Sequence, residues 1–233
     1  MSSNVLPLGL LLALGLAACS ASTDPAAEVS DLTAGTEIGV ISDLDDTLIP
    51  KADPELSLAP VPGIAKLYDI LEHRKSGRDG DVYYVTARVP DRVKDVPDYL
   101  AKYGVPGGPI ETGTSGAPFI ARPEKVRDME KTFGNTGAQR FVLFGDSTHV
   151  DADVQRDVLK KHPERVVAGI VLQVGDKTLE AAKGQYVVKS YAEAAAVLWK
   201  LEVITKTEAR SVMKAARDEG LAMTAAQTEA LFD

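Results

Sequence analysis

Four short apolar runs rich in β-branched residues punctuate the chain: Glu37–Ser42, Val82–Val85, Phe141–Phe144 and Val166–Val171. Each is too short for a helix and continuous rather than alternating, the pattern of strands buried on both faces of a parallel sheet. Between and beyond them apolar positions recur at helical spacing over Gly63–Arg74, Asp91–Tyr103, Glu124–Phe133, Val150–His162 and Tyr191–Leu201. Alternating strand and helix predict an α/β domain built on a doubly wound, mainly parallel sheet. In open sheets of that kind ligands bind beyond the carboxyl ends of the strands, and that is where the polar clusters fall. Asp43-Leu44-Asp45-Asp46-Thr47 follows the first run, Thr86-Ala87-Arg88 the second, and Gly145-Asp146-Ser147 the one at Phe141. Lys125 begins the helix expected to feed that third strand.

Outside the alternating region the pattern changes twice. Val5 to Ala18 is apolar or small except for Pro7, too short for a confident membrane span and of the right length for a signal-peptide core. It ends in Leu16-Ala17-Ala18-Cys19, which resembles the lipobox of bacterial lipoproteins. That resemblance implies cleavage after residue 18, a diacylglyceryl group on Cys19 and, with Ser20 next, sorting to an outer membrane where the organism has one. The lack of Lys or Arg in Met1–Leu6 departs from the usual signal pattern. Residues 1–18 are thus expected to be a signal peptide, 19–36 a polar tether, 37–203 the catalytic domain and 204–233 an Ala-rich helical extension. Cys19 is the only cysteine, so no disulfide can form within the chain.

The formal net charge of −8 argues against nucleic acid as a partner, since counterion release needs clustered Lys and Arg. It also repels anionic substrates at long range, so a phosphate-handling pocket here needs a metal ion or selected cations of its own.

Asp43 and Asp45, two residues apart at the end of a strand, point to the same side. Their like charges call for a cation, and a hard Mg²⁺ held by carboxylates and substrate phosphate is the ordinary solution. Asp43 is then the candidate nucleophile toward phosphorus, and Asp45 the group that protonates the leaving oxygen and later activates water. Asp43, the Leu44 carbonyl, Asp45 and Asp146 form the expected metal set. Thr86 would donate its hydroxyl to a phosphate oxygen and Lys125 would neutralise charge in transfer. A calcium loop fails as an alternative, because Leu48 stands where the turn needs Gly and Pro54 where it needs Glu. Taken singly, Thr86 reads sooner as an ordinary strand-end threonine and Lys125 as a solvated helix residue; the order of the motifs decides for function.

The order of the four motifs resembles that of the haloacid dehalogenase superfamily, over Glu37 to about Val174. More closely, Pro60-Val61-Pro62-Gly63, Tyr99 to Pro109, Phe144-Gly145-Asp146-Ser147 and His162-Pro163-Glu164-Arg165-Val166 resemble the catalytic-domain family of actin-patch phosphatidate phosphatases. The resemblance implies Mg²⁺-dependent conversion of phosphatidate to diacylglycerol, with Asp43, Asp45, Thr86, Lys125 and Asp146 on the motif positions. Where that family often carries Ser-Asn-Ser-Pro-Trp, this chain has Thr86-Ala87-Arg88-Val89-Pro90. Arg88 is therefore expected either to touch a second substrate anion or to pair with Asp91 or Asp95. Asp151 is expected to support the metal's waters or to complement a helix dipole. His149 is expected to be an exposed loop residue, because His73, His149 and His162 lack zinc-like spacing.

Neither Leu48–Val61 nor Asp91–Pro123 is long enough for a folded cap, so the site is expected to be open and suited to a phosphate displayed on something large. A membrane phospholipid fits, as does a protein. The alternatives are a periplasmic acid phosphatase acting on nucleotides and a non-catalytic lipid- or protein-binding module.

Overall fold

The computed structural model describes residues 37–73, 81–176 and 178–233. In chain order they form β1 (Ile38–Ser42), α1 (Ile64–Glu72), β2 (Val82–Thr86), α2 (Val96–Lys102), β3 (Ile110–Thr112), α3 (Pro118–Asn135), β4 (Arg140–Asp146), α4 (Asp151–Lys161), β5 (Val166–Leu172), β6 (Gln185–Val188), α5 (Tyr191–Lys200), α6 (Lys206–Asp218) and α7 (Ala225–Glu229). The strands make one parallel sheet in the order β3-β2-β1-β4-β5-β6. Progress along the chain reverses direction between β1 and β4, the switch point at which open sheets leave a crevice. Residues 1–36, with the expected signal peptide, Cys19 and the tether, lie outside the described residues.

Every residue of β1 and of β5 is buried, because helices cover both faces. Val40, Leu44, Val142 and Phe144 pack with α1, α5 and α6 on one side, while Ile41, Phe141 and Leu143 pack with α3 and α4 on the other. Strand alternation thus assigns Asp43, two residues after Ile41, to the α3/α4 face.

Three elements differ from the sequence expectation. Helix α3 begins at Pro118, six residues before the predicted start, and continues through Pro123. Proline at the first helical position is favourable, and the carbonyl left without a donor by Pro123 belongs to Phe119, which is 80 % exposed to water. Strand β6 was not predicted, since it is short and opens with the polar Gln185. That side chain is buried and satisfied by donating to the Ala152 carbonyl at 2.7 Å.

The third element is the extension, whose first helix is no mere appendage. Ala209, Val212 and Met213 of α6 belong to the same core as α1 and α5. Gly63, with φ 89°, lets α6 approach: a Cβ there would lie 2.9 Å from that of Ala216, and its N–H donates to Glu219 Oε2 at 2.7 Å.

The segment between β1 and α1 holds a one-turn 3-10 helix, Pro50–Ala52, and the segment between β2 and β3 a second, Pro90–Arg92, with α2. Among the described residues neither insertion adds a sheet or a further layer above the strand ends.

Candidate active site

Asp43 continues β1 by one residue, its N–H donating to the Phe144 carbonyl at 3.0 Å, so the β1–β4 ladder holds the backbone up to the site. Its carboxylate is 2 % exposed. Ala121, Lys125, Met129 and Phe133 occupy one buried stripe of α3 at i, i+4 spacing. Lys125 thereby points inward, and its Nζ lies 2.8 Å from Asp43 Oδ1 and 2.7 Å from Asp151 Oδ1. The contact with Asp43 pairs charge without hydrogen-bond alignment, so Asp43 Oδ1 keeps no hydrogen-bond partner. Asp151 is the first residue of α4 and can come this close only because Gly145 faces it. A Cβ on Gly145 would fall 2.5 Å from the Asp151 Cβ.

Asp146, fully buried at the end of β4, closes the cluster. Its Oδ1 accepts the N–H groups of Thr148 and His149, and His149 Nδ1 lies 3.1 Å from Oδ2. Burial works against the Asp146 charge, but the bonds from His149, Asp151 and Thr148 outweigh it and hold this carboxyl below the usual range. The bond to Asp146 raises His149 to about 9. Burial pushes Asp43 upward in spite of Lys125, and pushes Asp151 well above the ordinary carboxylate range, with the Asp43 charge adding to it. Lys125 is held above its ordinary value: burial opposes its charge, but Asp151 and Asp43 together prevail.

These carboxylates fit a hard cation. Asp43, Asp146 and Asp151 each offer an oxygen within 4.8 Å of the others, and Asp43 Oδ1 and Asp151 Oδ2 are buried without hydrogen bonds. An all-oxygen donor set short of positive charge suits Mg²⁺ or a similar ion. Asp46, Asp146 and His149 form a second, overlapping group.

Two members of the expected ligand set already have protein partners. The Leu44 carbonyl accepts from Leu48 N–H at 2.9 Å and Ile49 N–H at 2.8 Å, which spends its lone pairs inside the loop. Asp45 stands outside the carboxylate group, because Arg88 takes both its oxygens: Nε lies 2.9 Å from Oδ2 and 3.1 Å from Oδ1, and Nη2 2.5 Å from Oδ1. Arg88 therefore pairs with Asp45 and not with Asp91 or Asp95. Asp91 is paired instead with Lys94, its neighbour on the next turn, at 2.7 Å. Thr86 is 1 % exposed and its Oγ1 accepts the Arg88 N–H at 3.1 Å, leaving its own proton to donate. Asp151, expected beside the metal's waters, is bonded through Oδ1 to Lys125.

The cleft above this cluster has a volume of about 480 Å³ and is lined by Asp43, Asp45, Arg88, Lys125 and His149 among others. His149 is an exposed loop residue, as expected, 45 % exposed at the cleft wall, and it is also tied to Asp146. Sequence reasoning also passed over Asp53, whose carboxylate accepts from Glu55 N–H, Ser57 N–H, Ser57 Oγ and Leu58 N–H and so folds residues 48–61, the flap beside the cleft, around itself. In both places an aspartate accepts N–H groups two and three or more residues ahead, the turn-forming habit of this side chain. That habit was the available signal.

Carboxylates and one buried lysine gathered at the switch point of a parallel sheet, beneath an open cleft, mark an α/β enzyme of anionic-group transfer. Residues 38–173, more than half of the chain, match the family model described as phosphatidate phosphatase APP1, catalytic domain, and the chain belongs to that family. It is therefore a phosphatase. No curated protein matches it significantly.

Proposed function

We propose that this chain is a Mg²⁺-dependent phosphomonoester hydrolase of the haloacid dehalogenase type that converts phosphatidate to diacylglycerol through an aspartyl phosphate on Asp43. The observation that carries the reading is the Asp43 carboxylate at the cleft floor, buried, charge-paired to Lys125 at 2.8 Å and left with an oxygen free of hydrogen bonds. An Asp43 oxygen attacks phosphorus while the ester P–O bond breaks, and Asp45 gives its proton to the departing alcohol oxygen. Asp45 then takes a proton from water, whose oxygen attacks phosphorus and breaks the bond to Asp43, releasing inorganic phosphate. Lys125 offsets the phosphoryl charge, and Thr86 donates its free hydroxyl proton to a phosphate oxygen. Asp43 and Asp146, with Asp151 beside them, would hold the cation, which supplies charge neutralisation when bound.

The family name carries a phosphorylated lipid as substrate. In support, the large apolar side chains exposed among the described residues are Leu58, Val89 and Phe119. Val89 and Phe119 directly follow Arg88 and Pro118 of the cleft wall. The full chain with Mg²⁺ is expected to release phosphate from phosphatidate in mixed micelles with a higher kcat/KM than from nucleoside monophosphates, and EDTA is expected to abolish it. Preference for nucleotides, or turnover that survives EDTA, would reject the proposal.

For localisation, we propose a lipid anchor on Cys19 in a bacterial envelope, with the tether letting the domain reach the bilayer. Palmitate labelling of the expressed chain checks it: label is expected in the parent and absent in Cys19→Ser, and equal labelling refutes it.

A further inference from the structure

Arg88 takes no part in the steps above, yet it is the most heavily bonded side chain at the cleft. Its guanidinium joins two segments, the one between β1 and α1 at Asp45 and Asp53 and its own between β2 and β3 at Arg92. Nε and Nη2 fork onto Asp45, Nη2 also donates to the Asp53 carbonyl at 3.1 Å, and Nη1 donates to the Arg92 carbonyl at 3.4 Å. Its backbone is fixed as well, the N–H on Thr86 Oγ1 at 3.1 Å and the carbonyl accepting Gly113 N–H at 3.0 Å. The side chain is 9 % exposed. A guanidinium meant to capture a substrate anion would keep its fork open to the cleft; this one is spent on protein.

Asp45 needs such a partner. It stands where β1 has ended and the chain turns back through Asp46, whose φ of 54° breaks the extended run. Its backbone makes one isolated bridge, to Ile49, and its side chain is 19 % exposed. We infer that Arg88 is a positioning residue for Asp45: the fork fixes the plane of the carboxylate that exchanges protons with the leaving group and with water. The same guanidinium reads the flap, because the Asp53 carboxylate gathers residues 55–58 while the Asp53 carbonyl is handed to Arg88. Flap position and acid–base geometry are thereby mechanically joined. A lysine in this place would offer a point charge without the planar fork.

The inference rests on the proposed role of Asp45, and its test separates the two. In the full chain, Arg88→Ala is expected to lower kcat with KM within about twofold of the parent. The loss is expected to reach about 10²-fold for an alkyl phosphate, whose leaving oxygen needs a proton, and about tenfold or less for p-nitrophenyl phosphate, which needs none. Added guanidinium is expected to restore part of kcat, and Arg88→Lys to restore little. In an Asp45→Asn background Arg88→Ala is expected to remove almost nothing further, since the two act as one unit. A raised KM with unchanged kcat would make Arg88 a substrate binder and overturn the inference. So would additive losses in the double variant, or equal losses on both esters. A parent inactive on every ester would sink the proposed function, and this inference with it; the other adverse outcomes arise only with an active parent and sink this inference alone.

Discussion

Asp43→Asn is expected to lower kcat by about four orders of magnitude or more on any phosphomonoester, roughly 5 kcal/mol of lost transition-state stabilisation. The amide keeps the shape of the side chain but cannot supply the oxygen nucleophile, and the ion pair with Lys125 loses its negative member. The substitution is not expected to harm the fold. Burial and the neighbouring Asp146 and Asp45 charges push the Asp43 carboxyl upward more than Lys125 pulls it down. A carboxyl whose pKa is raised by folding works against stability while it is ionised, so removing its charge relieves the folded state. Lys125 keeps Asp151 at 2.7 Å. The melting midpoint in EDTA should therefore stay level or rise while activity vanishes, the signature of a site that trades stability for chemistry. Residual turnover within about tenfold of the parent would rule out Asp43 as the nucleophile.

Lys125→Met is expected to have the opposite effect on stability. The methionine is unbranched and of similar length but leaves Asp43, Asp146 and Asp151 without the cation that touches two of them. Removing one partner of a buried pair typically costs about 3–5 kcal/mol, which for a domain of this size is on the order of 10 °C in melting midpoint. Because a divalent cation bound only by the folded state stabilises by mass action, Mg²⁺ is expected to recover more of the midpoint in Lys125→Met than in the parent. Thermal melts of both proteins, with EDTA and with excess Mg²⁺, check this. Equal Mg²⁺ shifts in the two would show that Lys125 and the cation do not answer the same charge.

Much of this was legible along the chain. The runs at Ile38, Val82, Phe141 and Val166 had to be strands, because short continuous β-branched segments bury both faces only within a sheet covered on both sides. Once they alternated with helices, Asp43, Thr86 and Asp146 fell at the same edge of that sheet, and they do lie there. What was illegible has a common cause. Arg88 read as facing either a second substrate anion or an acidic partner a few residues away, yet its partner is Asp45, 43 positions earlier. The helix was expected only from Glu124, but with water near the freed carbonyl a proline inside the first turns is tolerated, so α3 reaches back to Pro118. The Ala-rich extension, residues 204–233, read as an appended element because nothing local reveals that its first helix, α6, shares the core with α1 and α5.

Alternation and periodicity by themselves determined the sheet, the edge on which the polar loops emerge and the inward direction of Asp43, because those follow from backbone geometry repeated every two or 3.6 residues. Only the tertiary structure decided the electrostatics: which carboxylates Lys125 touches, that Asp45 is gripped by Arg88 and that Asp151 joins Asp43 and Asp146. Coulomb energy and desolvation depend on distances through space and on exclusion of water, and both come into being only when α3 and α4 close over the ends of β1 and β4.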